Sequence, residues 1–158
     1  MLQVKTYLAR DSFGGMGLFA GQEIAKGSVI TRTTPQSVRY YPAEEYKALP
    51  AHERCRIEHF VYPEYEPDEA PPRIGVMLNL DNARYCNHSA QANTTSPQHD
   101  PGLSVAARDI KKDEEITCNY GECDPENHIH AMGLTSCKTF LLGATVRSGT
   151  NHPQKCTT

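Results

Sequence analysis

Short runs of apolar and β-branched residues, separated by glycine, proline and charged residues, form the dominant pattern of this chain. Runs of five to eight residues with this composition predict strands rather than long helices. The predicted strands are residues 4–9, 17–24, 28–32, 74–80, 103–107 and 115–120.

Prolines and acidic residues organise the middle of the chain. Pro42 precedes Glu44 and Glu45, and this order is typical of a helix start, because acids there face the positive end of the helix dipole. Helices are therefore predicted at residues 42–49 and 52–60, with Pro50 between them. The next stretch, residues 62–72, holds four prolines and four acids, which predicts an exposed, irregular loop.

The order of these elements predicts one mainly β domain with short helices. A chain of 158 residues suffices for a single hydrophobic core, and eleven glycines with eleven prolines indicate many turns. Strands do not alternate regularly with helices, which excludes a doubly wound nucleotide-binding fold. We expect a short helix or irregular cap at residues 129–142 and a disordered tail at residues 148–158.

Charge and hydropathy narrow the function classes. The formal net charge of −3 argues against direct nucleic-acid binding, which needs a basic face. No apolar run approaches the roughly 18 residues that cross a bilayer, and the first residues lack the apolar segment of a secretory signal. We expect an intracellular protein, nuclear or cytoplasmic, with no membrane partner.

The six cysteines include no Cys-x-x-Cys or Cys-x-Cys pair. A zinc-binding interaction domain could be built on sulfur and imidazole ligands from Cys123, His128, His130 and Cys137. Their spacing matches no standard zinc site, so we predict no metal.

A glycine-rich turn joins the first two predicted strands. Gly15, Met16 and Gly17 can bring backbone groups close to a ligand, because glycine has no Cβ in the way. An ordinary hairpin turn is the alternative. The turn leads into a strand, so no helix N-terminus is available to hold a pyrophosphate, and a dinucleotide site is excluded.

Two later segments concentrate polar groups. Residues 84–93 read RYCNHSAQAN, in which Asn87 offers both a donor and an acceptor to a zwitterionic ligand. His88 could act as a base or pair with an adenine edge through its backbone, and an exposed turn is the alternative. Residues 114–121 read EEITCNYG, a strand that ends at Tyr120. This tyrosine is either a core residue or a functional group.

In this order the three segments resemble the motifs of the SET-domain protein lysine methyltransferases, over about residues 10–121. The resemblance implies a fold of small sheets with a threaded, knot-like C-terminal segment. It places a SET domain at residues 1–121, with a variable insertion at about 42–72. A C-terminal cap at residues 122–147 and the tail at 148–158 would follow.

The resemblance also assigns roles to residues. Tyr120 is implied as the catalytic residue, Cys118 shares the substrate channel with it, and Asn93 holds the loop through which the chain threads. We assign His88 no general-base role. The residues implied to bind the cofactor, S-adenosylmethionine, are Gly15, Met16, Gly17, Arg84, Asn87 and His88.

The implied reaction is methyl transfer from S-adenosylmethionine to the ε-amine of a lysine in a protein, with a histone tail as one candidate. A catalytically silent SET fold that binds proteins is the alternative. The chain departs from the family in lacking the zinc-binding cysteine cluster that often follows the last motif. Cys118 stands where an aromatic residue often limits the number of methyl groups, which favours more than one methylation.

Overall fold

The structure is a computed structural model that describes residues 1–12, 14–66, 68–97, 100 and 102–123. Within these residues, short strands form four small sheets, joined by short helices. The strands are β1 (Thr6–Arg10), β2 (Met16–Ala20), β3 (Val29–Arg32), β4 (Val38–Pro42), β5 (Val61–Glu66), β6 (Arg73–Asn79), β7 (Asn87–His88), β8 (Thr94–Thr95), β9 (Leu103–Ala106) and β10 (Thr117–Cys118). The helices are α1 (Ala43–Ala48), α2 (Ala51–Ile57) and α3 (Tyr120–Cys123), with a 3-10 helix at Asn82–Tyr85. The predicted mainly β fold with short helices is confirmed.

The first core lies between the β1–β2 hairpin and the sheet with strand order β3–β9–β8. The hairpin turn needs Gly14, whose φ of 86° lies in the left-handed region that glycine adopts without strain. Burial of apolar side chains from the strands and the connecting segments stabilises this half of the domain. The buried residues of the first core are Leu18, Ala20, Ile24, Ile30, Ala106, Ile110 and Ile116.

The second core lies on the antiparallel sheet with order β4–β6–β5, which α1 covers. Its buried residues are Tyr41, Tyr46, Val61, Val76 and Leu78. The two predicted helices are present, and both begin directly after a proline, at Pro42 and Pro50.

The prediction of an irregular loop at residues 62–72 is wrong for its first part. Residues 61–66 form β5, which pairs with β6 from Val61↔Leu78 to Glu66↔Arg73. Val61, Tyr62 and Tyr65 favour a strand, and Pro63 is tolerated because β5 lies at the edge of its sheet.

Two other predicted strands are shorter than expected. The strand predicted at residues 17–24 ends at Ala20, and Ile24 forms a separate bridge with Ile110 instead of extending the hairpin. The strand predicted at residues 115–120 is reduced to β10, and Tyr120 begins α3 instead of ending the strand. The predicted cap and tail lie outside the described residues. No helix in the described part of the chain is long and apolar enough to span a membrane.

Gly75 in β6 provides a test of this packing. A Cβ at this position would run into the carbonyl oxygen of Tyr41 and lie 3.0 Å from the Cα of Pro42. Backbone cannot yield as a flexible side chain can, so we expect Gly75→Ala to lower the free energy of unfolding by about 1–3 kcal/mol, measured by urea denaturation.

Gly102→Ala is the matched control, because the nearest atom to its Cβ would be Asp100 Oδ1 at an ordinary 3.4 Å. We expect that variant to unfold within about 0.5 kcal/mol of the wild type. Equal stability of the two variants would contradict the described β4–β6 packing.

Candidate active site

A two-residue parallel pairing brings the second and third motifs together. Strand β7 pairs with β10 in the register Asn87↔Thr117 and His88↔Cys118. The Ser89 N–H extends this contact by donating to the Cys118 carbonyl oxygen at 3.0 Å. The motifs are about thirty residues apart in sequence, so the pairing depends on tertiary contacts that surround it.

Asn93 supplies the central contacts of this arrangement. The residue is 2% exposed, and its side-chain Nδ2 donates to the Glu115 carbonyl oxygen at 2.8 Å. Its Oδ1 accepts from the Thr117 N–H at 2.9 Å. Thr94 adds a third contact, since its hydroxyl donates to the Thr117 carbonyl oxygen at 2.8 Å. These bonds add to the strand contacts of the same segment, in which Glu115 forms a bridge with Phe19 and Thr117 pairs with Asn87.

Glu114 anchors the same segment from its outer side. The Arg108 guanidinium lies 2.6 Å from its carboxylate. The hydrogen bond from Arg108 is the largest cause that lowers the pKa of Glu114, to about 2, against the opposing effect of burial. The Lys111 N–H and the Asn93 amide lower this pKa further.

The side chain of Asn87 joins the second motif to the glycine turn. Its Nδ2 lies 3.0 Å from Asp11 Oδ2, 2.8 Å from Glu115 Oε1 and 3.4 Å from the carbonyl oxygen of Met16. Strand β2 reaches this point because the Ile116 N–H donates to the Leu18 carbonyl oxygen at 2.7 Å. All three sequence motifs therefore meet at one amide group.

The two glycines of the turn leave room for the carboxylates at this meeting point. A Cβ on Gly15 would lie 2.8 Å from Asp11 Oδ2, and one on Gly17 would lie 2.5 Å from Glu115 Oε1. Both distances are shorter than a real Cβ contact. The glycines thus admit two acidic side chains at the turn.

Tyr120 is 9% exposed and contacts the residues on either side of Asn87. Its hydroxyl donates to the Cys86 carbonyl oxygen at 2.9 Å, one residue before Asn87. Its backbone N–H donates to His88 Nδ1 at 3.2 Å, and the two rings are 5.2 Å apart. An N–H can only donate, so Nδ1 of His88 is the acceptor in this contact. The imidazole positions Tyr120 in this arrangement.

The remaining predicted site residues are Arg84, in the 3-10 helix before β7, and Cys118, in β10. The Arg84 guanidinium carbon lies 5.7 Å from the centre of the Phe60 ring and 5.3 Å from that of Tyr85. Arg84 Nε is buried, and no described residue accepts a hydrogen bond from it. Cys118 lies half-buried in β10.

Three residues at this site were not predicted: Asp11, Glu115 and the carbonyl of Cys86. The sequence signal for Asp11 is its place just before a glycine turn, because aspartate side chains often bond the backbone of turns. In the structure its carboxylate accepts from the Gly15 N–H at 2.8 Å. Glu115 lay inside a recognised motif, but only the folded chain shows which of its two acids points toward Asn87.

No group of three or more metal-binding side chains is arranged to hold an ion among the residues that the structure describes. Of the four candidate zinc ligands, only Cys123 at the end of α3 falls within that part of the chain. A separate cavity of about 330 Å³ is lined by none of the predicted site residues. Its lining consists of Arg39, Tyr41, Leu49, His52, Glu53, Arg56 and Ile57.

The ion pair of Glu114 gives the fold a defined pH dependence. Its folded-state pKa of about 2 lies below the ordinary 4.5, so ionised Glu114 stabilises the fold above about pH 4.5, and this contribution is lost as the pH falls toward 2. We expect Glu114→Gln to lower the free energy of unfolding by about 1 kcal/mol near pH 7, because the partner Arg108 is half exposed.

The difference between wild type and Glu114→Gln should shrink when urea denaturation is repeated at about pH 2.5. A difference that stays constant between the two pH values would show that the carboxylate charge is not the source of the stabilisation.

Comparison with known proteins places this geometry in a family. The SET-domain family model matches residues 15–121, which is more than half of the chain. A search of curated protein sequences found no significant match.

Solved structures share the fold. A Plasmodium falciparum protein provisionally named as a histone methyltransferase is 24% identical, with a TM-score of 0.51, over 76% of this chain and 96% of that one. The Neurospora SET domain protein DIM-5, a histone lysine methyltransferase, is 20% identical, with a TM-score of 0.52, over 75% and 53%. A humanized mutant of the Chaetomium thermophilum Polycomb Repressive Complex 2 is 22% identical, with a TM-score of 0.56, over 83% and 17%.

These likenesses, each below 25% identity, show the fold alone. The chain spans about half of the Neurospora chain and about a sixth of the Chaetomium chain. The family model shows more than the fold, because its match includes the glycine turn, the Asn87 segment and Tyr120. This chain belongs to the SET-domain family.

Proposed function

We propose that the protein transfers a methyl group from S-adenosylmethionine to the ε-amine of a lysine in a protein substrate. One observation carries the proposal: the Tyr120 hydroxyl bonds the carbonyl of Cys86, and the next residue, Asn87, bonds the Met16 carbonyl of the glycine turn. A candidate catalytic hydroxyl and a candidate cofactor loop are thus joined through two consecutive residues. Membership of the SET-domain family supports the same reaction.

The residues present fit the proposed cofactor. S-adenosylmethionine carries two cationic groups, a sulfonium and an α-ammonium, and acceptor groups suit both. The Asn87 region supplies the Met16 carbonyl and the carboxylates of Asp11 and Glu115. The residues that would hold the cofactor are Gly15, Met16, Gly17, Arg84, Asn87 and His88. When bound, the cofactor supplies an electrophilic methyl group on a sulfonium sulfur.

The role of Tyr120 follows from its hydrogen bond. Its hydrogen is directed to the Cys86 carbonyl, and we assign its oxygen the role of accepting a hydrogen bond from the substrate amine. That contact would align the nitrogen lone pair with the methyl group, and alignment of reacting atoms contributes much of the rate in such displacements.

The substrate amine must be neutral before it attacks. A lysine amine has an ordinary pKa near 10.4, so it loses a proton to solvent first, and a buried site such as that of Tyr120 favours the neutral form. With the cofactor held by the residues named above, the N–C bond would form as the S–C bond breaks, leaving a methylated ammonium and a neutral thioether. His88 contributes by holding Tyr120 in place through Nδ1.

The proposed substrate is a lysine-containing protein, and a histone tail is the first candidate. The proposed location of the enzyme is the nucleus or the cytoplasm. The Neurospora structure with the same fold is named as a histone lysine methyltransferase, which supports a histone as the first substrate to test.

Tyr120→Phe tests the assigned catalytic residue. The variant removes only the hydroxyl, so we expect methyl transfer to fall by about 100-fold or more, measured with radiolabelled S-adenosylmethionine. The Kd for S-adenosylmethionine, measured by calorimetry, should stay within about twofold of the wild type, since the cofactor residues are intact.

Tyr65→Phe is the matched control, because Tyr65 is 38% exposed on β5 and lies outside the site. It should keep full transfer. Full transfer by Tyr120→Phe would contradict the proposed role. Cofactor binding without transfer to histones or lysate proteins in the wild type would favour a silent binding module.

Cys118→Tyr tests the proposal that the small Cys118 side chain admits more than one methyl group. A tyrosine at this position of β10 would fill space beside Tyr120, so we expect the product distribution to shift toward monomethyl-lysine, measured by mass spectrometry of the substrate. Cys118→Ala, which adds no volume, should keep the wild-type distribution. An unchanged distribution in Cys118→Tyr would show that Cys118 does not border the channel.

A further inference from the structure

We propose that Asp11 and Glu115 lock the side-chain amide of Asn87 in one orientation, which makes them positioning residues for the cofactor's amino-acid end. The inference rests on the proposed function, because it concerns how Asn87 would recognise the α-ammonium of S-adenosylmethionine. Neither acid belongs to the predicted cofactor set, and both contact Asn87 directly.

The orientation follows from the chemistry of the neighbours. An asparagine amide ends in an oxygen that accepts and a nitrogen that donates, and the two ends can exchange by a flip. Asp11 Oδ2, Glu115 Oε1 and the Met16 carbonyl oxygen all face the same end of the Asn87 amide, at 3.0, 2.8 and 3.4 Å. Ionised carboxylates and carbonyls only accept, so this end must be the NH2 group.

A flipped amide would place an oxygen against two carboxylate oxygens at hydrogen-bonding distance. Such a contact loses two charge-assisted hydrogen bonds and replaces them with repulsion. The two carboxylates therefore exclude the flipped orientation. An amide side chain at either position would not exclude it, because its NH2 group could donate to the Asn87 oxygen.

The lock leaves the Asn87 Oδ1 atom turned away from the acids. Among the described residues, no hydrogen bond to Oδ1 is formed, while Nδ2 makes all of the amide's contacts. A fixed carbonyl oxygen beside two negative charges is suited to an ammonium group and unsuited to a carboxylate. The geometry thus selects the cationic part of an amino-acid ligand at Asn87.

Each acid is itself held in place by other contacts. Asp11 uses its second oxygen, Oδ1, to accept from the Gly15 N–H at 2.8 Å, which aims Oδ2 at Asn87. The backbone of Glu115 is fixed by the Asn93 amide, which donates to its carbonyl oxygen at 2.8 Å.

The glycine turn is part of the same device. A Cβ on Gly17 would lie 2.5 Å from Glu115 Oε1 and 3.1 Å from its carboxyl carbon. The end of a glutamate side chain can move, and the backbone of Gly17 has no positive φ. Gly17→Ala should therefore displace the Glu115 carboxylate and loosen the amide without breaking the β1–β2 hairpin.

The test compares two ligands that differ only in the α-amino group: S-adenosylhomocysteine and its desamino analogue. Their Kd values are measured by calorimetry on the wild type and on the double variant Asp11→Asn with Glu115→Gln. Amide side chains keep the size of the acids and can donate to a flipped Asn87, so the lock is released. We expect the wild type to prefer the amino-bearing ligand by about tenfold or more and the double variant to bind both within about twofold.

Glu114→Gln is the matched control, because this adjacent acid contacts Asn93 and Arg108 instead of Asn87. It should keep the wild-type preference. Gly17→Ala should lose it, as the double variant does.

The outcomes separate the two proposals. Failure of the wild type to bind either ligand or S-adenosylmethionine would overturn the proposed function, and the lock with it. A wild type that prefers the amino-bearing ligand and a double variant that keeps the same preference would overturn the lock alone. A double variant that binds both ligands more weakly by the same factor would also overturn it, because that result shows only general loosening of the site.

Discussion

The buried amide of Asn93 is the contact on which the site depends most. It bonds Glu115 and Thr117 through backbone groups, and with its carboxylate partner Glu114 it fixes the segment that leads to Tyr120. A two-residue parallel pair such as β7–β10 gains little from its own ladder, so a buried side chain has to supply the missing partners. Because leaving a buried backbone group unpaired costs about 1–3 kcal/mol, one side chain that satisfies two of them holds the segment firmly.

The segment at residues 115–117, held by Asn93, is connected to the candidate functional groups by a few hydrogen bonds. The Glu115 carboxylate accepts a hydrogen bond from Asn87. The Cys86 carbonyl accepts from the Tyr120 hydroxyl, and His88 accepts from the Tyr120 N–H. The site is thus assembled from neutral and anionic acceptors around one amide. This electrostatic character suits a cationic methyl donor and a lysine, which agrees with the proposed reaction.

The sequence was sufficient for the longer strands that have a strand-like composition, and for the two helices that begin after a proline. Both ends of each predicted element lie within three residues of the observed ends for the strands at Thr6–Arg10, Val29–Arg32 and Arg73–Asn79 and for the two helices after Pro42 and Pro50. Strands β7 and β8 have two residues each and carry no periodicity that could reveal them. β5 was missed because its proline and acids are typical of loops, and only its place at a sheet edge makes them compatible with a strand.

For the site, the motifs indicated which segments matter but could not show which atoms meet. Asp11 lies near the start of the described chain and Glu115 near its end, so only the fold brings them together at Asn87. The threaded arrangement, the site assignments and the domain boundaries remain predictions.

The most direct test of the account is methyl transfer itself, with the wild-type chain, radiolabelled S-adenosylmethionine, and histones or whole lysate as acceptors. Hydrolysis and amino-acid analysis of the labelled acceptor identify the modified residue. We expect the label in methylated lysine. Tight binding of the cofactor with no label in any acceptor, or label in a residue other than lysine, would contradict it.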